Sequence, residues 1–270
     1  AIATHFLQTT TLSTNARYEQ EMMRGYFSDV FEQAPKTSDP KYLDWLQELI
    51  RIHNIDMIIP CIEDDMILWN KHREELCTLT FPMLNTGSLI TACTDKWMFY
   101  EKQVEHDSPY RIETTLETDF NALINRFGLP FLLKPRCGFA SKGIVKVTDK
   151  ATFDAHKNDI GTVLMAQPIM GDTEHEYTVS AFFDADSHLC CHHQLRRKLS
   201  QTGFTEIAET VELDNIEIVL TDLASIFHPV GPTNFQFRED GGILKLLEIN
   251  PRVSSSTSIR TAFGYNEVLM

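Results

Sequence analysis

Glu248, Asn250 and Arg252 stand two residues apart in ILKLLEINPR, and Gln236 stands twelve residues before Glu248 in TNFQF. In a strand, residues two apart project from the same face. Gly241-Gly242 between the two stretches is a turn signal, so the spacing predicts a hairpin able to set Gln236 beside Glu248. One carboxylate and two amide oxygens on one face form an oxygen-only site suited to Mg²⁺, with coordination positions left for phosphates. Arg252, two residues further, has the planar donor fork that grips a phosphate. A polar hairpin face in solvent is the bland alternative. Leu246, Leu247 and Ile249 around Glu248 weigh against it.

A second group lies in FLLKPRCGFASKGIVKV, residues 131–147, where a strand delivers Lys134 into a loop holding Gly138, Ser141, Lys142 and Gly143. Glycines let a backbone come close to an anion, and loop N–H groups can cradle phosphate oxygens. The GxxxxGK[ST] order is absent and a strand follows, so this is no P-loop. Alone it reads equally well as a hairpin with exposed lysines.

The elements that must hold these groups change character along the chain. PKYLDWLQELIRIH is helical by its apolar spacing, IDMIIP is a short strand, and Glu63, Asp64 and Asp65 open an amphipathic stretch, MILWNKHREELC. Strand, acidic start and helix make half of a βαβ unit. Carboxylates in a first helical turn are favoured by the helix dipole, which accounts for the trio without a metal. TFPML is a further strand, Gly87 to Gln103 is predicted as one helix, and 117–127 as a helix closed by Gly128. Strand-like stretches then dominate: PFLLKP, GIVKVT, TVLMAQPI, EYTVSAFFD, HLCCHHQLRRKL, TEIAETVEL, TNFQF and ILKLLEI, interrupted by helices at 149–159 and in NIEIVLTDLASIF. The front third is α/β and the remainder is α+β with mostly antiparallel strands.

Composition bounds the partners. The 270 residues are 43% hydrophobic and 23% charged, an ordinary globular balance with ample core for two or three subdomains. A net charge of −14 argues against nucleic acid or an anionic membrane as the main partner. No apolar run is long enough for a membrane helix, and AIATHFLQTTTLS lacks the basic start and apolar stretch of a secretion signal. Six cysteines without CxxC spacing point to reduced thiols in a cytoplasm. Three decoys fall on geometry. Residues adjacent in a strand face opposite ways, so CCHH at 190–193 cannot surround one Zn²⁺. FFDADSHL lacks the glycine and distal Glu of a Ca²⁺ loop and reads as a turn. Cys137 has no activating base beside it in sequence.

Taken in order, Lys134, the glycine loop, LMAQPIMGDTEHEYTVSAFFD, GPTNFQF and LEINPRVSSS resemble the ATP-grasp superfamily. GPTNFQFREDGGILKLLEINPRVSSSTSIRTAFGYN is most similar to the large subunit of carbamoyl-phosphate synthetase and its single-module relatives, and the resemblance covers roughly residues 55–267. It implies a preATP-grasp, Rossmann-like α/β domain over 1–92, a small ATP-grasp subdomain with the phosphate loop over 93–170, and a catalytic subdomain over 171–270. It implies that Lys134 contacts the α- and β-phosphates, and that Gly138, Ser141, Lys142 and Gly143 belong to a loop closing over them. Met165, Ala166, Gln167 and Ile169 would hold adenine, largely through backbone groups, and Glu176 would bind ribose hydroxyls. Gln236, Glu248 and Asn250 match magnesium ligands (two ions, with Mn²⁺ as a substitute), and Arg252 the phosphate-stabilising arginine. Of Arg196, Arg197 and Lys198, strand alternation turns either Arg197 or the pair 196/198 toward the acyl phosphate.

Ala166-Gln167 stands where the family often has a Glu, the glycine-rich first turn is missing, and the chain stops soon after GYN, so residues are expected to be missing at both ends. The implied reaction is attack of a carboxylate, carbamate or bicarbonate on the γ-phosphate of ATP, then displacement of phosphate by an amine or similar nucleophile. The leading expectation is an ADP-forming carboxylate–amine ligase acting on small molecules. A phosphotransferase and a nucleotide-binding module are the alternatives, and a homodimer matches the habit of relatives.

Overall fold

The computed structural model describes residues 12–15, 29–138, 142–172, 175–199, 205–254 and 256–270. Contacts divide the chain into two units, Ala1–Leu84 with Val253–Met270, and Asn85–Arg252.

In the first unit, β1 (Leu12–Asn15) runs parallel to β2 (Val30–Gln33). α1 (Tyr42–His53) buries Tyr42, Leu46, Leu49 and Ile50 at helical spacing and ends on Asn54, which takes the left-handed conformation common at helix ends. β3 (Met57–Ile58), α2 (Glu63–Lys71), α3 (Arg73–Cys77) and β4 (Phe81–Pro82) follow, and β3 pairs with β4 in parallel. A parallel pair needs a crossover, and α2 and α3 provide it. Glu63, Asp64 and Asp65 form the first turn of α2, and Asp65 accepts a hydrogen bond from Thr37 at 2.5 Å.

The second unit begins with α4 (Gly87–Thr94) and α5 (Lys96–Glu105), where one helix was the expectation. Asp95 divides them. Its backbone is extended, and its carboxylate accepts from the Trp97 amide at 2.8 Å, so it ends one helix and caps the next. α6 (Phe120–Phe127) is capped by Asp119 and closed at Gly128. β5 (Phe131–Pro135), β6 (Val145–Val147), the short α7 (Lys150–Asp154) and β7 (Leu164–Pro168) build an antiparallel sheet in the order β6-β5-β7, over a core of Leu123, Phe131, Leu133, Val147 and Phe153.

β8 (Glu176–Phe183), β9 (Leu189–Leu199), β10 (Thr205–Thr210), α8 (Ile216–Phe227), β11 (Gly231–Asp240) and β12 (Ile243–Asn250) complete the unit. Their five strands form an antiparallel sheet in the order β10-β9-β8-β11-β12. Period-two alternation splits its residues between two faces. Tyr177, Val179, Ala181, Phe183, Phe235 and Phe237 share a core with Leu220, Leu223 and Phe227 of α8. Burying each Val, Leu or Phe among them is worth about 1.5–3 kcal/mol, so this contact holds the sheet's orientation firmly. The polar residues of the same strands are thereby turned to the opposite face.

Beyond β12 the chain returns to the first unit, where α9 (Thr257–Ala262) carries Arg260. Arg260 and Glu267 form a fully buried ion pair at 3.0 Å, to which Thr257 and Ser254 add hydrogen bonds at 2.7 and 2.9 Å.

Candidate active site

The polar face of the five-stranded sheet gathers most of the residues singled out by chemistry. Gln236 on β11 is paired across the ladder with Glu248 on β12, and Asn234 with Asn250. Gly241 and Gly242, both with positive φ, make the two-residue turn between the strands. That turn pairs Asp240 with Ile243, and counting back from it would set Gln236 against Leu247. A bulge between Gln236 and Phe237 takes up one residue of β12, so Glu248 arrives opposite Gln236 instead. Asn250 follows on the same side, its amide nitrogen 3.3 Å from a Glu248 oxygen. Two amide groups and one carboxylate, all half-buried, fit a hard divalent cation in donor chemistry, since every donor is oxygen.

Alternation also decides the basic run on β9. Arg196 pairs with Glu209 toward solvent. Arg197, only 10% exposed, turns the other way, donating to Glu176 at 2.8 and 3.1 Å and to the Gln236 amide oxygen at 2.5 Å. Glu176, expected to receive ribose hydroxyls, lies between two arginines. One carboxylate oxygen is held by Arg197 and the other by Arg238, at 2.8 and 3.0 Å, and its side chain is 4% exposed. A carboxylate removed from water needs such partners, and two guanidinium groups supply them in full. The geometry makes Glu176 an anchor for two arginines.

Lys134 comes from the other sheet. Lys134 is half-buried, and Glu248, Lys96, Arg238 and Glu176 are its charged neighbours. Burial is the largest influence, and despite the nearby Glu248 it pushes the ammonium from its usual 10.5 down to about 8. A lysine so placed is mostly charged at pH 7, and an arriving anion completes its protonation.

Two cations escaped the sequence reading. Arg238 sits directly across the ladder from Glu176. Lys96 opens α5, and its ammonium donates to the Gly138 carbonyl at 2.6 Å. Arg136 fastens that corner: it grips Asp95 at 2.5 Å, donates to the Gly161 carbonyl at 2.7 Å, and accepts the Lys96 amide on its own carbonyl at 2.8 Å. Burial raises the Asp95 pKa, but the hydrogen bonds and charge of Arg136 outweigh it and leave the carboxyl below its ordinary value. The signal for Lys96 was present as Asp95-Lys96 at a helix start, where a capping Asp hides inside an apparently continuous helical period.

In the glycine loop, Gly138 and Gly143 have φ of 112° and 76°, and Lys142 is exposed. Ser141 lies outside the described residues. Met165, Ala166 and Gln167 are buried on β7, while Ile169 beyond it is 38% exposed. The Ala166 amide donates to the Thr115 carbonyl at 2.9 Å, and the Ala166 carbonyl accepts from the Thr115 amide at 3.0 Å. Pro168 has no N–H, and Ile169 is the first backbone donor beyond it. Arg252, at the end of this unit, is half-buried after a tight bend in which its amide bonds to the Asn250 carbonyl at 2.8 Å.

Residues 162–268 match the family described as "ATP-grasp in the biosynthetic pathway with Ter operon". Solved structures align over nearly the whole chain. The chain has an ATP-grasp fold. N5-carboxyaminoimidazole synthetase from Staphylococcus aureus, complexed with ADP, superimposes with a TM-score of 0.69 at 18% identity, over 92% of this chain and 66% of that one. Biotin carboxylase from Campylobacter jejuni, in a complex with β,γ-ATP, gives a TM-score of 0.74 at 13% identity, over 93% of this chain and 61% of that one. The biotin carboxylase domain of Hydrogenobacter thermophilus 2-oxoglutarate carboxylase, with MgADP, ADP and bicarbonate, gives 0.70 at 15%, over 92% and 60%. The chain thus spans less than two thirds of the length of these ATP-grasp structures. Among the described residues no helix is long and apolar enough to cross a membrane.

Proposed function

We propose that this ATP-grasp protein binds ATP with divalent cations and transfers the γ-phosphoryl group to a small carboxylate, carbamate or bicarbonate, forming an acyl phosphate that an amine or similar nucleophile then captures. The observation that carries the reading is the ladder pairing of Gln236 with Glu248, with Asn250 on the same face and Arg197 against Gln236. Gln236, Glu248 and Asn250 would hold Mg²⁺ or Mn²⁺, in one or two ions, and the bound cation would supply charge neutralisation. Lys134 and Lys96 would meet the phosphates beside the loop of Gly138, Lys142 and Gly143. Ile169 and the neighbouring end of β7 would take adenine. Arg252 and Arg197 would face the transferred group, whose charge is spread over its equatorial oxygens, so positioning and electrostatics do most of the work. The likeness to ADP-bound and MgADP-bound carboxylation enzymes supports this chemistry, and the order of motifs supports the narrower similarity to carbamoyl-phosphate synthetase. In the same reading residues 93–170 and 171–270 are the two ATP-grasp subdomains, the protein is cytoplasmic, and its partners are small acids and amines.

The test follows ADP, AMP and phosphate together when the protein meets Mg·ATP with pooled small carboxylates and amines. ADP and free phosphate that require both an acid and an amine establish a ligase. ADP with a stable phosphorylated acceptor and no free phosphate establishes a kinase instead. Glu248→Gln is expected to lower Mg²⁺-dependent turnover on the order of 10²-fold with the fold intact. Near-unchanged turnover in that variant would show the metal assignment to be wrong.

A further inference from the structure

Glu176 is the most enclosed charged group on the polar face, and its two oxygens lead in different directions. Arg197 uses Nε and Nη2 on one oxygen and passes its Nη2 on to Gln236. Arg238 uses Nε and Nη2 on the other, and its Nη1 approaches the Met170 carbonyl at 3.5 Å, just past β7. That long contact is reinforced by backbone. The Glu239 amide bonds to the His175 carbonyl at 3.1 Å, and a Cβ on Gly171 would meet the Glu239 carbonyl oxygen at 2.3 Å. The chain leaving β7 is therefore laid directly on β11.

We propose that Glu176 is a positioning residue that couples binding of the adenine base at the end of β7 to binding of the metal at Gln236 and Glu248. The coupling rests on the ATP and metal reading above, and it works through two arginines that share one carboxylate. A guanidinium against Gln236 repels a cation held there unless its charge is offset, and Glu176 supplies the offset only while it grips Arg197. A base settling on the far end of β7 orders the Met170 carbonyl, then Arg238, then the carboxylate between the arginines. Sites coupled this way change each other's affinity by the same factor.

Adenosine is the probe, because without phosphates it cannot chelate the metal itself. Its affinity is measured with and without Mn²⁺, and Mn²⁺ affinity is read by electron paramagnetic resonance with and without adenosine. In the wild type each ligand is expected to tighten the other about fivefold. In Glu176→Gln the ratio falls to about one, and Glu176→Asp, which keeps the charge, recovers part of it. A purely structural role would weaken both ligands and leave the ratio unchanged, which overturns the proposal. So does a wild-type ratio of one while Mn·AMP-PNP still binds, and in that case the ATP reading stands. Absence of Mn·AMP-PNP binding to the wild type overturns both.

Discussion

Nucleotide binding is expected to take up protons through Lys134, and the amount follows from its surroundings. Burial lowers its ammonium from 10.5 to about 8, with Glu248 opposing and Lys96 and Arg238 assisting. At pH 8 about half of the molecules then carry a neutral amine at this position. A bound triphosphate restores the preference for the charged form, so each binding event captures about 0.5 proton at pH 8, about 0.1 at pH 7 and about 0.9 at pH 9. Calorimetry of Mg·AMP-PNP binding in buffers of different ionisation enthalpy reads this directly. The slope of apparent enthalpy against buffer enthalpy is the proton count. Above pH 8 the nucleotide's own phosphates no longer titrate, and Lys134→Arg provides a charged side chain that cannot release its proton. Zero slope at pH 8 in the wild type, or an unchanged slope in Lys134→Arg, would refute the reasoning. The same shift has a stability consequence. Between pH 8 and 10.5 the unfolded chain holds this proton more firmly than the folded one, so the Lys134 contribution to stability rises with pH across that window and is least below pH 8. Lys134→Met is accordingly expected to unfold at a higher temperature than the wild type at pH 7 while losing nucleotide affinity.

Gly171 has φ of 54° and no room for a Cβ, so Gly171→Ala is expected to cost about 2 kcal/mol or more by denaturant titration, and a loss below about 0.5 kcal/mol would contradict the close approach to Glu239. Lys96→Met removes a charged donor at the loop and is expected to weaken Mg·AMP-PNP binding about 10- to 100-fold with little change in melting temperature. Glu267→Ala removes the carboxylate that pairs with the buried Arg260 and is expected to cost about 3–5 kcal/mol, with Arg260→Met/Glu267→Leu recovering much of the loss in thermal unfolding.

Much of the site was legible because its cues are local. Glu248 and Asn250 share a face by strand alternation, Gly241-Gly242 makes the turn, and Gly138 and Gly143 sit at positive φ in the loop after Lys134. Where the reading went astray, a distant partner intervened. The 87–103 helix is divided because Asp95 caps α5 and is held by Arg136, forty-one residues away. The partners of Glu176 could not be read because Arg197 and Arg238 reach it from the two flanking strands. Ala166 is bridged to Thr115, which lies in a stretch with no strand signal of its own.

The sequence alone determined which groups the second unit carries: oxygen donors at period two, a lysine delivered by a strand, and basic residues opposite an apolar face. These follow from backbone geometry within one strand, where neighbours set each other's direction. The tertiary structure decided which of these groups meet. A one-residue bulge in β12, rather than the turn, brings Glu248 to Gln236, and a register shifted by one would have presented Leu247. The choice of Arg197 over Arg196 was settled when Phe235, Phe237 and Val179 packed against α8 and turned the other face outward. Register and facing are fixed by the burial of apolar area between elements far apart in the chain, and no single stretch of sequence contains that information.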